Sequence, residues 1–211
     1  MDTEKGLYLT EQFPFADFPM FDKAISIRPG TQTHFWGEDT SKIQALFHHL
    51  IGESKCEAGT KWLDGLDVSL MTCRELGERG LAAGSARSRV FQSLTIEEHF
   101  RIRTTAVRSE LSTKHWLEKA KEWFPVLRSV PRTVCGNFSG GEQQTLMLAL
   151  ATIGSPRIVI IEEPFTGLSV EARRDVESVF EALTKQGTMI LSLSQDSSTF
   201  ENKSIVIQLD H

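Results

Sequence analysis

The sequence predicts an α/β fold built on a mostly parallel sheet, and three observations carry that prediction. Ile158-Val159-Ile160-Ile161 is a continuous apolar run, the mark of a central parallel strand covered on both faces. Strands and helices alternate through the C-terminal third, an order that gives parallel pairing through right-handed crossovers. Apolar residues recur at helical spacing over 41–51, 112–124 and 170–185, which places amphipathic helices around the sheet.

From the N-terminus, Leu7, Leu9, Phe13, Phe15, Phe18 and Phe21 read as strand positions, punctuated by Pro14 and Pro19. Residues 24–27 alternate as a half-buried strand does, and Pro29-Gly30 is a turn signal. A strand over 33–36 leads to Gly37. The helix over 41–51 carries Ile43, Leu46, Phe47, Leu50 and Ile51 on one side, with Gly52 as its stop. Lys61 to Asp64 reads as a strand entering a turn at Gly65. The middle is more helical. Thr95 is an N-cap candidate, and Trp116, Leu117, Ala120 and Trp123 share one side of the helix over 112–124. Pro125 and Pro131 punctuate the stretch after that helix. Ser139-Gly140-Gly141 opens a helix from Glu142 to about Ile153, then come the strand over 157–161 and the helix over 170–185. Strands over 188–193 and 204–209 complete the chain.

A chain of 211 residues fits one domain. Hydrophobic residues at 40% and charged residues at 24% are enough to bury a core without disulfides or metals. The net charge of −5, with no long basic run, points away from nucleic acid as a partner. Cys56, Cys73 and Cys135 are far apart and read as reduced thiols of a cytosolic protein. No apolar run approaches the roughly 20 residues that cross a bilayer, and the N-terminus lacks a signal pattern. Any membrane role is therefore expected to be peripheral, on the cytosolic side.

The most specific stretch is Asn137-Phe138-Ser139-Gly140-Gly141-Glu142-Gln143-Gln144, followed about 20 residues later by Ile158-Val159-Ile160-Ile161-Glu162-Glu163-Pro164. Ser-Gly-Gly alone also makes ordinary helix-starting turns. At a helix N-terminus, however, Ser139, Gly140 and Gly141 present N–H groups where partial positive charge accumulates, which suits a phosphate. An apolar strand ending in two carboxylates suits a metal ion and an attacking water.

Together these segments resemble the signature motif and Walker B strand of ABC transporter ATP-binding subunits. The resemblance runs over nearly the whole chain and is strongest to the ATPase branch of branched-chain amino-acid importers. Residues 123–127 with 136–144 are similar to that branch's FPxL…GxLSGGEQQ. Residues 89–98 are similar to its RxxFPSLTVEEN, and residues 163–168 to its DEPSxGL ending. The resemblance implies a P-loop NTPase-like nucleotide-binding domain over residues 1–211. Its N-terminal β part is expected to be antiparallel, and its helical subdomain to lie at about 86–150.

The phosphate-binding loop departs from the family pattern GxxxxGK[ST]. Gly37 takes the first glycine position, but Lys42 stands at the second, Ile43 at the Lys and Gln44 at the Ser/Thr. Ile43 removes a charge-assisted phosphate contact, worth about 1.5–3 kcal/mol. Glu38 and Asp39 add negative charge beside it, although Lys42 leaves an ammonium one residue from the lost one. Glu162 replaces the metal-side Asp, and Glu163 keeps the general-base position. The Q-loop position is Ala86, and the switch position is Gln195 in Leu193-Ser194-Gln195-Asp196, as is usual in that branch. Phe13 or Phe15 would stack on adenine, unless both are core or loop residues.

The family works as head-to-tail dimers, each ATP lying between one chain's P-loop and the other's signature. The resemblance therefore implies an asymmetric role. Ser139, Gly140, Gly141 and Glu142 would meet ATP and Mg²⁺ held by a second ABC subunit with an intact Walker A. Gly37, Lys42 and Gln195 would line a degenerate site of the chain's own, with Glu162 on the metal side and Glu163 as residual general base. Transmembrane permease subunits are the further expected partners, at the cytosolic face of the inner or plasma membrane. Two alternatives stand beside this: a weakly active homodimer using Lys42 and Glu163, and an adaptor that binds no nucleotide. His48-His49 has no partner at helical spacing for a metal. Arg87 and Arg89 lie in the loop where the family meets its membrane subunits, or are solvated surface charge.

Overall fold

The computed structural model describes residues 5–87, 90–129, 133–195 and 205–209. Arg89, Pro131, Asp196 and Ser204 lie outside the described residues.

The N-terminal β part is antiparallel, as expected. β1 (Leu7–Leu9) pairs with β4 (Ile25–Ile27) and β6 (Lys61–Leu63), and β7 (Leu66–Asp67) extends the sheet to the order β4-β1-β6-β7. β2 (Pro14–Phe15) and β3 (Phe18–Pro19) form a separate small hairpin.

The second sheet is wholly parallel. Its order is β11 (Ile205–Gln208), β5 (Gln32–Trp36), β10 (Met189–Ser194), β9 (Ile158–Glu162) and β8 (Leu81–Ser85). Alternate side chains of the apolar strands serve opposite faces. Ile158, Ile160, Met189, Leu191 and Leu193 join a core with α1 (Thr40–Ile51) and the antiparallel sheet. Val159, Ile161 and Ile190 join a second core with α6 (Gly140–Ala151), α7 (Val170–Lys185) and the helices between β8 and β9. Those helices are α3 (Ile96–Ala106), α4 (Thr113–Trp123) and α5 (Val126–Ser129). Trp116 is buried in this second core, and the Lys119 ammonium lies over the rings of both Trp116 and Trp123.

The helix ends follow their local chemistry. α1 stops at Gly52, which is left-handed at φ 80°; a Cβ there would fall 2.5 Å from the Met71 carbonyl oxygen. Buried Lys61 donates to the His49 and Leu50 carbonyls at 2.8 and 3.3 Å, at the negative end of the helix dipole. Burial pushes that ammonium below its ordinary pKa. α6 begins two residues before the predicted start, because Gly140 and Gly141 form its first turn behind the Ser139 cap.

The register fixes where a site can form. Ser85 pairs with Glu162, Glu162 with Leu193, and Ser194 with Trp36. The strands therefore deliver Ala86, Glu163, Gln195 and Gly37 to one edge of the sheet. The crevice outside the carboxyl ends of the strands is where open α/β sheets bind ligands.

Candidate functional site

Two helix N-termini lie at this end of the sheet, each capped by its own chain but with different groups. The α1 N-terminus is closed by its own chain. Asp39 is the N-cap, and its Oδ1 accepts from the Ser41 N–H at 2.8 Å and the Ser41 hydroxyl at 2.6 Å. Those two bonds hold the Asp39 carboxyl below the usual carboxylate range. A carboxylate thus sits where a P-loop helix would receive phosphate. Gln195 closes the loop from the far side, its amide donating to the Glu38 carbonyl at 3.1 Å and to the Thr40 hydroxyl.

The other candidate side chains face the protein rather than the mouth of the loop. Ile43 is 1% exposed and belongs to the core with Leu46 and Leu50. The Lys42 ammonium donates to the Leu209 carbonyl at 3.4 Å, beside the end of β11. Phe13 is fully buried and stacks on Phe21, which removes it as an adenine platform. Phe15 is partly exposed, with its ring edge-on to His49.

The carboxylates differ in setting. Glu162 is 3% exposed, and one of its oxygens accepts from the Ser85 hydroxyl. Its other oxygen lies 3.4 Å from Arg87 Nε. The same guanidinium lies against the Gln44 amide, whose oxygen, with the amide turned, faces Nε, Nη1 and Nη2 together. These residues fit a divalent metal poorly: position 44 lacks a hydroxyl, Ala86 has no side-chain donor, and Glu162, with Oε2 bonded to Ser85, turns its otherwise unbonded Oε1 toward the Arg87 guanidinium. Glu163 is partly exposed at φ 51°. Its carboxylate accepts from the Gln195 N–H at 3.0 Å and the Thr166 hydroxyl at 3.3 Å. His48 pairs with Glu53 at 2.6 Å, and no metal-holding cluster exists among the described residues.

The α6 N-terminus is open by comparison. Ser139 and Glu142 form a capping box, with the Ser139 N–H donating to Glu142 Oε2 at 2.7 Å and the Glu142 N–H to Ser139 Oγ at 3.3 Å. Ser139 and Gly140 are exposed. The Gly140 and Gly141 N–H groups belong to the first turn, where a helix has no internal acceptors to offer. Gly141 is required by close approach, since a Cβ would lie 2.8 Å from the Gly167 carbonyl oxygen. Gln144 fixes α6 to the end of β9 through the Glu163 and Pro164 carbonyls at 3.0 and 3.1 Å. Between α6, Ala86 and Thr166 lies a cleft of about 360 Å³.

A parallel sheet with a P-loop-like turn after β5 and a Ser-Gly-Gly helix start anchored at the end of β9 is the arrangement of an ATP-binding cassette. A solved structure described as an ATP-binding cassette of an ABC transporter shares this fold at a TM-score of 0.81 and 17% identity, over 98% of this chain and 88% of that one. The sequence profile of the family described as ABC transporter matches residues 23–166, and the chain belongs to that family. It is 26% identical to the "Probable branched-chain amino acid transport ATP-binding protein LivF" of Archaeoglobus fulgidus, over 79% of this chain and 69% of that protein. It is 22% identical to the "High-affinity branched-chain amino acid transport ATP-binding protein BraG" of Pseudomonas aeruginosa, over 85% of this chain and 76% of that protein.

Sequence reasoning missed Arg87 as a member of the edge cluster. Its partners, Gln44 and Glu162, lie on a distant helix and strand, so no local spacing could reveal it.

Proposed function

We propose that this chain is an ABC transporter ATP-binding subunit whose own site is degenerate and whose signature completes a partner's ATP site. The difference between the two helix ends carries the reading: the Asp39 carboxylate caps the α1 end, while the α6 end is capped by the Ser139 hydroxyl and leaves the Gly140 and Gly141 N–H groups for an outside acceptor. ATP and Mg²⁺ would be held by the P-loop of a second ABC subunit. This chain's part is to present the Ser139 hydroxyl and the Gly140 and Gly141 N–H groups to the γ-phosphate, where negative charge is stabilised by a helix start. Glu142 keeps that turn in shape through the capping box. On its own side, Glu163 has no positioned phosphate to act beside, so the proximity term that dominates phosphoryl transfer is missing.

The described residues include no helix long and apolar enough to cross a membrane. Membership of the ABC transporter family supports a peripheral subunit docked on permease subunits at the cytosolic face. The names of the two relatives above point to amino acids as cargo.

A mixing assay tests this. In a complex with an ABC subunit carrying a complete P-loop, Ser139→Arg should lower ATP turnover tenfold or more. Losing one such donor costs about 2.7–4 kcal/mol in a transition state. Unchanged turnover in an assembled complex would make the subunit a scaffold only.

A further inference from the structure

We infer that the Arg87 guanidinium is the resident cation of this chain's own site, standing between Gln44 and Glu162 where the family pattern places a divalent metal. The inference rests on reading that site as degenerate. Three positions face the metal in the pattern, and this chain fills them with Gln44, Ala86 and Glu162. Only Glu162 keeps a carboxylate on the metal side, and two of the three positions converge on one guanidinium. With its amide turned, the Gln44 oxygen faces Nε, Nη1 and Nη2 together, and Glu162 Oε1 lies 3.4 Å from Nε.

The cluster is held by an ion pair rather than by a full set of hydrogen bonds: Glu162 Oε1 is buried without a hydrogen-bond partner among the described residues, and the Arg87 charge 3.4 Å away is what offsets it. Glu162 is 3% exposed, and a buried carboxylate is costly without a compensating cation. Its Oε2 accepts a hydrogen bond from the Ser85 hydroxyl, and the Ser85 oxygen accepts from the Arg87 main-chain N–H at 3.1 Å. Arg87 thus grips the cluster by side chain and backbone together. One guanidinium offsets the charge of one carboxylate, with the Gln44 amide lying against it. A divalent ion entering here would add excess positive charge next to that guanidinium. It would also find no side-chain oxygen at Ala86.

The anionic half of the site is filled in the same manner, because Asp39 occupies the α1 N-terminus. Internal groups therefore stand in for both metal and phosphate. The loop that leaves β8 at Ala86 and Arg87 is held in place without either ligand.

The experiment uses the full chain and Mn²⁺ as the probe. In wild type, millimolar Mn²⁺ should leave the electron paramagnetic resonance signal that of the free ion. The melting temperature should be the same with and without Mg²⁺. Arg87→Ala should lower the melting temperature by roughly 2–4 °C. Adding Glu162→Gln to that variant should recover most of the loss, since the stranded charge is gone. Bound Mn²⁺ in wild type would overturn the inference, as would an Arg87→Ala variant of unchanged stability. Should Arg87→Ala give no folded protein, the comparison moves to Arg87→Lys, whose ammonium lacks the guanidinium's planar fork. A partial loss there sustains the assignment, and no loss overturns it. None of these measurements involves Ser139 or a partner, so their failure is separate from a failure of the mixing assay.

Discussion

A lysine returned to position 43 would enter a space that the chain has closed. Ile43 is 1% exposed and packs in the core beneath the loop. An ammonium there would be desolvated without a phosphate to meet it. Ile43→Lys is therefore expected to lower stability by about 2 kcal/mol, read from the urea midpoint. It should gain no micromolar affinity for Mg·ATP by isothermal titration, because Asp39 still caps α1. Micromolar binding in that variant would show that the loop has kept its cradle. At this scale the losses were legible, since Ile43, Gln44 and Ala86 each contradict a fixed motif position. The groups that replaced them were not. The Asp39 cap, the Gln195 bonds to Glu38 and Thr40, and the Arg87 contacts depend on which side chains the fold brings together.

The α6 start separates two glycines that look equivalent in sequence. A Cβ at Gly140 meets open space, whereas one at Gly141 would sit 2.8 Å from the Gly167 carbonyl oxygen. Gly140→Ala should leave stability within about 0.5 kcal/mol of wild type. Gly141→Ala should cost about 1–3 kcal/mol, because backbone must shift. Chemical denaturation of the two variants checks the difference, and equal losses would mean that α6 and Gly167 can move apart freely. Among the elements, α1, α4, α7 and β9 were legible because period and caps agree with burial. β8 was not, for Leu81-Ala82-Ala83-Gly84-Ser85 holds no β-branched residue, and its strand form comes from pairing with β9. α2 (Cys73–Glu78) did carry a readable signal, the Thr72…Glu75 capping box.

Each face of the parallel sheet carries one buried thiol, which lets the two cores be tested together. Cys56 lies in the core on the α1 face, Cys135 in the core on the α6 face, and Cys73 is exposed. Burial pushes the Cys135 thiol up to about 11, so little reactive thiolate forms at pH values near ~8. One fast equivalent of thiol is expected with a disulfide reagent on the native chain, and three in denaturant. A second fast equivalent would reveal that one face opens locally. At the scale of the molecule, the parallel sheet was legible from the apolar run at 158–161 alone. The two-sided split of the core was not, because it requires the register of β9 against β10. The hold of Arg87 on Gln44 and Glu162 also acts as an evolutionary ratchet. Serine at 44 takes away the amide that lies against the guanidinium, loss of Arg87 strands Glu162, and lysine at 43 buries a charge. Each of the two returns toward the motif, at 43 and at 44, is thus expected to lower stability when made alone, so a path back through these positions would run through less stable chains.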